Sequence, residues 1–436
     1  MNIPNILYSR KFPNITYFYS IGKSVNGRDL PVIAIASEAR YDDFNIPDFK
    51  FIANVHGNEV IGLELLLILV QVLLENYGKN EYLTKLINTT SIHIMPTMNP
   101  DGYENYRSDK TNPNAGFTNA NMVDLETDFP YQQQKNTKLL QPETQAVMKW
   151  TKTIPFLLSA NLRDGAYFVS YPSYNCSRKN GACRNRDHRL LVRLAYEYMH
   201  LQLPHFNQVK ADCPLQDNSN SRILNEAEYS PKIDTMQNWN YINSNCIELT
   251  FFLHCQQISS SNTLRQLWDM HKYSLINYIS QIHQSLNGYV RNRNTGLGIQ
   301  GVEVNVKGSG KPVYSQNNGA FFRLLNPGTY TVLFTHPLYV TVKQQFKITA
   351  GPSTKRKAII LMTSVNVSNA NQHVDDHKYV IDTRAAVTLN MQLSNISQLN
   401  PVLTLPASVD ISSNCCCKFL ANTFAVTMLI SLVPVF

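Results

Sequence analysis

The sequence predicts an α/β layered domain followed by a small β-sandwich. Between Asn14 and about Gln284, short β-rich runs alternate with longer helical patterns. Beyond Gln284 every run is short and β-rich, separated by turn signals such as NTGLG, NNG and NPG. The composition, 436 residues with 43% hydrophobic and 16% charged, is that of a globular chain with room for more than one core. Disorder over the whole length is excluded. The net charge of +8, from 39 basic and 31 acidic side chains, is scattered rather than gathered into Lys/Arg blocks, so no nucleic-acid partner is expected.

In chain order, LPVIAIA (30–36) and FKFIANV (49–55) predict buried strands, being short, apolar and rich in Ile, Val or Phe. IGLELLLILVQVLLENY (61–77) is long enough for a core helix, and TSIHIMPTM (90–98) predicts another strand. Pro142 opens the helix PETQAVMKWTK, where a proline in the first turn forfeits no hydrogen bond. FLLSANL (156–162) and CIELTFFLHC (246–255) complete the strand candidates of the first domain, residues 1–285. GYVRN, VEVNV, AFFRLL, TYTVLF, VTVKQQFKI and AIILM supply the strands of the second, residues 286–362. Residues 363–411 are Ser/Asn/Val-rich without a clear period and predict a low-complexity stalk.

Residues 412–436 predict a C-terminal anchor signal or membrane segment. FLANTFAVTMLISLVPVF (419–436) carries no charge and follows Lys418 and the small residues Ser412, Ser413 and Asn414. That order favours a glycosylphosphatidylinositol signal over a spanning helix. The sequons at Asn14, Asn88, Asn175, Asn366 and Asn395 are compatible with a glycosylated cell-surface chain. The first residues, MNIPNILYSRKF, lack the apolar core of a secretory signal peptide. Eight cysteines are present without a CxxC pair, so a structural zinc ribbon is not expected.

The most specific local signal is NVHGNEVIGLELLL, with His56 and Glu59 three residues apart at a strand-to-helix junction. An imidazole and a carboxylate at that spacing can converge on one metal ion. With YSIGKSVNGRDLPVIAI (19–35), FIANVHGNEVIGLELLL (51–67), INTTSIHIMPTMNPDGYE (87–104), NANMVDLETDFP (119–130), PETQAVMKW (142–150), LLSANLRDGA (157–166) and MQNWNYINSNCIELTFFLHC (236–255), the chain resembles the N/E subfamily of zinc metallocarboxypeptidases. GYVRNRNTGLGIQGVEVNV (288–306) through GTYTVLF (328–334) resembles the transthyretin-like domain that follows the catalytic domain there. The resemblance implies a mixed central sheet flanked by helices, the zinc-carboxypeptidase fold, and then a transthyretin-like β-sandwich. It also implies a Cys213–Cys255 disulfide, which fits an extracellular domain.

The resemblance further implies a zinc ion on three protein ligands, a glutamate base, an arginine for the oxyanion and an Asn-Arg pair clamping the substrate's terminal carboxylate. His56 and Glu59 match two ligands, but Arg163 stands where the third, a histidine, belongs. A guanidinium has no lone pair and keeps its charge, so it cannot ligate zinc. It can instead pair with Glu59, setting a protein cation at the metal's place. Phe252 occupies the general-base position and cannot accept a proton. Glu126 and Thr127 replace the carboxylate clamp, and Phe117 replaces the oxyanion arginine. Ser230 falls at the position of the mobile substrate tyrosine, 22 residues before Phe252, with Tyr229 one residue away.

Zinc is therefore expected to bind weakly or not at all, and the chain to be a catalytically inactive pseudoenzyme at the extracellular face of the plasma membrane, acting by binding an unnamed peptide or protein ligand. The alternative is an active carboxypeptidase removing C-terminal basic residues, with Asp164 or His254 as substitute donors.

Overall fold

The computed structural model describes residues 10–37, 46–109, 111–112, 114–130, 139–173, 186–205, 222–230, 232, 234–255, 261–349 and 358–365. Residues 1–364 form one compact unit. The predicted anchor and all but the first residues of the predicted stalk lie outside the described residues.

Eight strands form the central sheet: β1 (Thr16–Lys23), β2 (Asp29–Ile35), β3 (Asp48–Ala53), β4 (Ser91–Met95), β5 (Phe156–Arg163), β6 (Phe168–Tyr171), β7 (Ile223–Asn225) and β8 (Ile247–Phe252). Their order is β1-β2-β4-β3-β5-β8-β6-β7. The centre, β4-β3-β5-β8, is parallel, while β2 and β6 run antiparallel to their inner neighbours. The sheet is thus mixed, with helices between its strands: α1 (Ile61–Glu75), α2 (Glu81–Thr89), α3 (Pro100–Ser108), α4 (Pro142–Thr153), α5 (His188–Met199), α6 (Glu226–Tyr229), α7 (Met236–Asn243) and α8 (Ser261–Ser280).

Both faces of the sheet are covered, which is why β3 and β5 are nearly continuous buried runs. On one face Phe49, Phe51, Leu158 and Leu249 pack with Leu65 and Leu69 of α1, Leu191 of α5 and Tyr278 of α8. On the other, Ile52 and Met95 pack with Val147 and Trp150 of α4 and Trp239 of α7. Lys50 of β3 is fully buried, its ammonium 3.2 Å from Glu248 of β8, whose carboxylate also accepts the Ser159 hydroxyl of β5 at 2.6 Å. Three parallel strands are thereby tied together below their carboxyl ends.

Two strands of the first domain stop three residues short of their sequence patterns. The run 90–98 stops at Met95 because Pro96 has no N–H to donate, and Met98 and Asn99 instead donate to the carbonyls of Ala53 and Asn54. The run 246–255 stops at Phe252, after which Leu253 and His254 close against the Arg163–Gly165 turn.

The second domain has two facing sheets. β10 (Glu303–Val306), β11 (Val313–Tyr314), β13 (Gly328–His336) and β14 (Tyr339–Ile348) make one, and β9 (Ser285–Asn292), β12 (Ala320–Leu324) and β15 (Ala358–Met362) make the other. Val290, Val304, Phe321, Val332, Phe334 and Ile360 fill the space between them. Asp187 joins the domains, pairing with Arg323 at 3.0 Å and accepting from Ser309 and Gly310.

Candidate functional site

β4 lies on one side of β3 and β5 on the other, so the loop after β3 opens at a topological switch point, where parallel sheets hold their ligands. That loop carries His56 and Glu59. Asn54 starts it with φ of 55°, a left-handed conformation that asparagine tolerates. The Asn54 amide then donates to the carbonyls of His56, Gly57 and Glu59 at 2.9 to 3.1 Å. At Gly57 a β-carbon would lie 2.1 Å from the Gly102 carbonyl carbon, so only glycine allows the loop to press against α3. Asp164 Oδ2 accepts the Ile61 amide at 3.0 Å and caps α1 from the neighbouring strand's end.

Arg163 ends β5, and Phe252 is its register partner at the end of β8. The Arg163 side chain reaches back over β3. Its Nε donates to Glu59 Oε2 at 2.6 Å and its Nη2 to Glu59 Oε1 at 2.9 Å, a two-pronged arginine–carboxylate pair. Nη2 also lies 2.8 Å from His56 Nδ1, and Nη1 donates to Glu126 Oε2 at 2.9 Å. One guanidinium, only 8% exposed, therefore engages the imidazole, both oxygens of Glu59 and the Glu126 carboxyl.

On its far side His56 Nε2 lies 2.8 Å from Asp124 Oδ1, and Asp124 Oδ2 accepts the Lys232 ammonium at 3.1 Å. In neutral His56, Nε2–H donates to Asp124 while Nδ1 accepts from Arg163; on protonation, Nδ1–H donates to Glu59 Oε1 at 2.8 Å. Burial and the Arg163 charge depress the His56 pKa, but its hydrogen bonds to Asp124 and Glu59 outweigh them and raise it above the usual value. Burial pushes Glu59 up, and Arg163 and His56 more than reverse this, leaving it at about 2. Glu126 is pushed up to about 7 by burial, which Arg163 and His56 offset only partly. Asp164 stays well above the carboxylate range through burial and the nearby charge of Glu59.

The other residues singled out from the sequence frame this cluster. Phe252 stacks on Phe168 with ring centres 4.4 Å apart, and the Arg163 guanidinium carbon lies 5.7 Å from the Phe252 ring. Phe117 covers His56 at 3.9 Å. Thr127 donates its hydroxyl to Asp124 at 3.3 Å. The Ser230 hydroxyl accepts the Lys232 amide at 3.2 Å, whereas Tyr229 sets its ring edge on Phe252 at 5.9 Å, so Tyr229 is the residue that faces the cluster. His254 binds Gly165 through its carbonyl at 2.8 Å.

Asn14 and Asn88 are exposed; Asn175, Asn366, Asn395 and Cys213 lie outside the described residues. Cys255 is disulfide-bonded, and Cys246 is a buried free thiol. Asp124, Lys232 and Asn161 belong to the site without having been singled out, and Glu226, whose acidic run Glu226-Ala227-Glu228 reads in the sequence as a solvated loop, is instead buried at the start of a one-turn helix. Asp124 had a signal, standing two residues before Glu126, whereas Lys232 in an irregular stretch had none.

Zinc does not fit these residues as they are arranged. The donor atoms of His56 and Glu59 that could converge on an ion converge on Arg163, and a guanidinium offers no lone pair in return. Among the described residues no group of three His, Cys, Asp or Glu side chains is placed to hold a metal.

Residues 7–274 match the family model described as zinc carboxypeptidase, and residues 285–361 match the carboxypeptidase regulatory-like domain. Carboxypeptidase M of Mus musculus is 37% identical over 336 residues, covering 76% of this chain and 75% of that protein. Carboxypeptidase D of Mus musculus is 34% identical over 378 residues, covering 86% of this chain. The chain spans only 27% of the length of that carboxypeptidase D. Among solved structures, thrombin activatable fibrinolysis inhibitor superposes with a TM-score of 0.51 at 17% identity, over 63% of this chain and 71% of that one. Carboxypeptidase A from Helicoverpa armigera superposes with a TM-score of 0.50 at 15% identity, over 63% of this chain and 70% of that one. At those identities the structural likeness speaks for the fold alone.

Proposed function

Because the chain belongs to the zinc carboxypeptidase family, we propose that it is a carboxypeptidase M-like member that acts by binding and does not hydrolyse peptides. The single observation that carries this reading is the Arg163 guanidinium on the donor atoms of His56 and Glu59. A permanent cation bound to both inherited ligands opposes a divalent ion electrostatically and takes its electron pairs. Even a loaded metal would lack help from the protein. Phe252 accepts no proton from a water, Phe117 offers no charge to an oxyanion, and Glu126 repels a substrate carboxylate whenever it is ionised.

An extracellular, membrane-tethered setting belongs to the same proposal, supported by the Cys255 disulfide, since such bonds persist in oxidising compartments. No described helix is long and apolar enough to cross a membrane. Zinc stoichiometry and peptide hydrolysis, measured on the purified chain, test the reading together. The expected result is no stoichiometric zinc and no cleavage of peptides ending in Lys or Arg. About one zinc per chain, with cleavage abolished by a chelator and by His56→Ala, would overturn it.

A further inference from the structure

Away from the Arg163 cluster, the two domains leave an open cavity of about 370 Å³ between them. One wall is the end of α7 and the turn after it, from Tyr241 to Asn245. The other is the loop from β10 into β11, from Gly310 to Pro312, together with Tyr314. A ligand there would touch both domains at once. Ligand sites measure about 300–1,000 Å³, and this one, at the lower end, suits a single ring with its substituents.

The frame around the cavity is fixed. Asp187 accepts the Ser309 hydroxyl at 2.6 Å, the Gly310 amide at 3.0 Å and the Tyr241 hydroxyl at 2.9 Å. A β-carbon on Gly310 would lie 2.6 Å from both Asp187 Oδ2 and the Tyr241 oxygen, so the loop enters this corner only as glycine. Lys311 follows, and its ammonium donates to the carbonyls of Tyr241, Ile242 and Ser244. Both walls are thereby held in place before any ligand arrives, which lowers the entropic cost of binding.

The same bonds set the electrostatics. Three carbonyls match the three donors of the Lys311 ammonium, and Asp187 is paired with Arg323. A charged ligand would lose its hydration here without meeting an unpaired opposite charge. The lining offers apolar area and neutral polar groups instead. Tyr314 is 46% exposed, a ring available for contact. Asn243 Nδ2 donates to the Trp239 carbonyl at 3.2 Å, which leaves the side-chain oxygen as an acceptor. Among the described residues the Asn245 amide and the Tyr314 hydroxyl have no hydrogen-bond partner. An aromatic ring beside uncharged amides complements a sugar ring, which has C–H faces and a rim of hydroxyls.

We propose that this interdomain cavity binds an uncharged pyranose, packed on Tyr314 and hydrogen-bonded by Asn243 and Asn245. The proposal does not depend on whether the chain hydrolyses peptides, since no lining residue belongs to the Arg163 cluster.

Saturation-transfer NMR on the full chain, titrated with methyl glucoside, glucuronate and phenol, tests this directly. Methyl glucoside should bind with a Kd of roughly millimolar order, glucuronate about fivefold more weakly or worse, and phenol without saturation. Tyr314→Ala and Asn245→Ala should each weaken methyl glucoside by about fivefold or more at an unchanged melting temperature, because neither side chain is buried. Tyr314→Phe, which keeps the ring, should retain most of the affinity and serves as the control for folding. Maltotriose binding more tightly than methyl glucoside would assign the site to a glycan chain, and equal binding to a free sugar; both support the proposal. No saturable response to methyl glucoside, equal binding of phenol or glucuronate, or unchanged affinity in both alanine variants would overturn it.

Discussion

Replacing Arg163 by alanine should destabilise the chain in a strongly pH-dependent way. The substitution removes four hydrogen-bonding contacts, two to Glu59 and one each to His56 and Glu126, and leaves buried acidic groups without their cation. Breaking a buried ion pair on one side costs about 3–5 kcal/mol. Protonation can relieve that cost, because Glu126 already titrates at about 7 and His56 above its usual value. In the parent, Glu59 has a folded pKa of about 2, below the usual 4.5, so its stabilisation is present above about 4.5 and lost as pH falls through 2. In the variant that contribution is gone, Glu59 and Glu126 move up, and acid refills them with protons. The loss should therefore be about 4 kcal/mol near pH 8 and about half that near pH 5.5. Urea unfolding at the two pH values measures it. A loss below about 1 kcal/mol at the higher pH, or one of equal size at both, would refute the assignment of Arg163 as the cation that holds this cluster together.

Other perturbations probe neighbouring parts of the structure. Arg163→His should raise bound zinc to about one ion per chain above the parent, read by metal analysis after dialysis; equal zinc in the parent would contradict it. Phe252→Glu alone should leave peptide hydrolysis at background, and measurable turnover would show that the Arg163 cluster does not exclude the reaction. Glu126 and Glu226 have folded pKa values of about 7 and 8, above the usual 4.5, so the stability they confer is full below 4.5 and lost as pH rises through 7 to 8. Glu226→Gln should flatten the fall in melting temperature between about pH 5 and 9, and an unchanged slope would count against its burial. The Lys311 ammonium donates to the carbonyls of Tyr241, Ile242 and Ser244, so Lys311→Met should cost about 2 kcal/mol and loosen the two domains in calorimetry.

The fold could be read from the sequence where burial dictates residue type. β3 and β5 are covered on both faces and therefore appear as plain apolar runs, while β1 and the short β6 and β7, at or near the sheet's edges, alternate too weakly to stand out. Single substitutions against a known pattern exposed Arg163, Phe252, Glu126 and Phe117. What those residues do to one another was not readable, because it depends on strand register. Arg163 and Phe252 are 89 positions apart and adjacent only through β5–β8 pairing. The same holds for Lys232, which reaches Asp124 across 108 positions. Residue spacing alone leaves Ser230 and Tyr229 one position apart, and the one-turn helix Glu226–Tyr229 sets the Tyr229 ring against Phe252.

Charge accounting explains how the framework persists around an altered site. A histidine and a glutamate alone would leave a buried carboxylate in search of a cation, and Arg163 supplies one through the chain itself. That single positive charge balances Glu59 but not Glu126 as well, and Lys232 is committed to Asp124. The balance is completed by protons: Glu126 is about half protonated near neutral pH and His56 is poised to take one up. Glu226 pushes the same economy further, since its raised pKa keeps it largely neutral at pH 7 in the free chain.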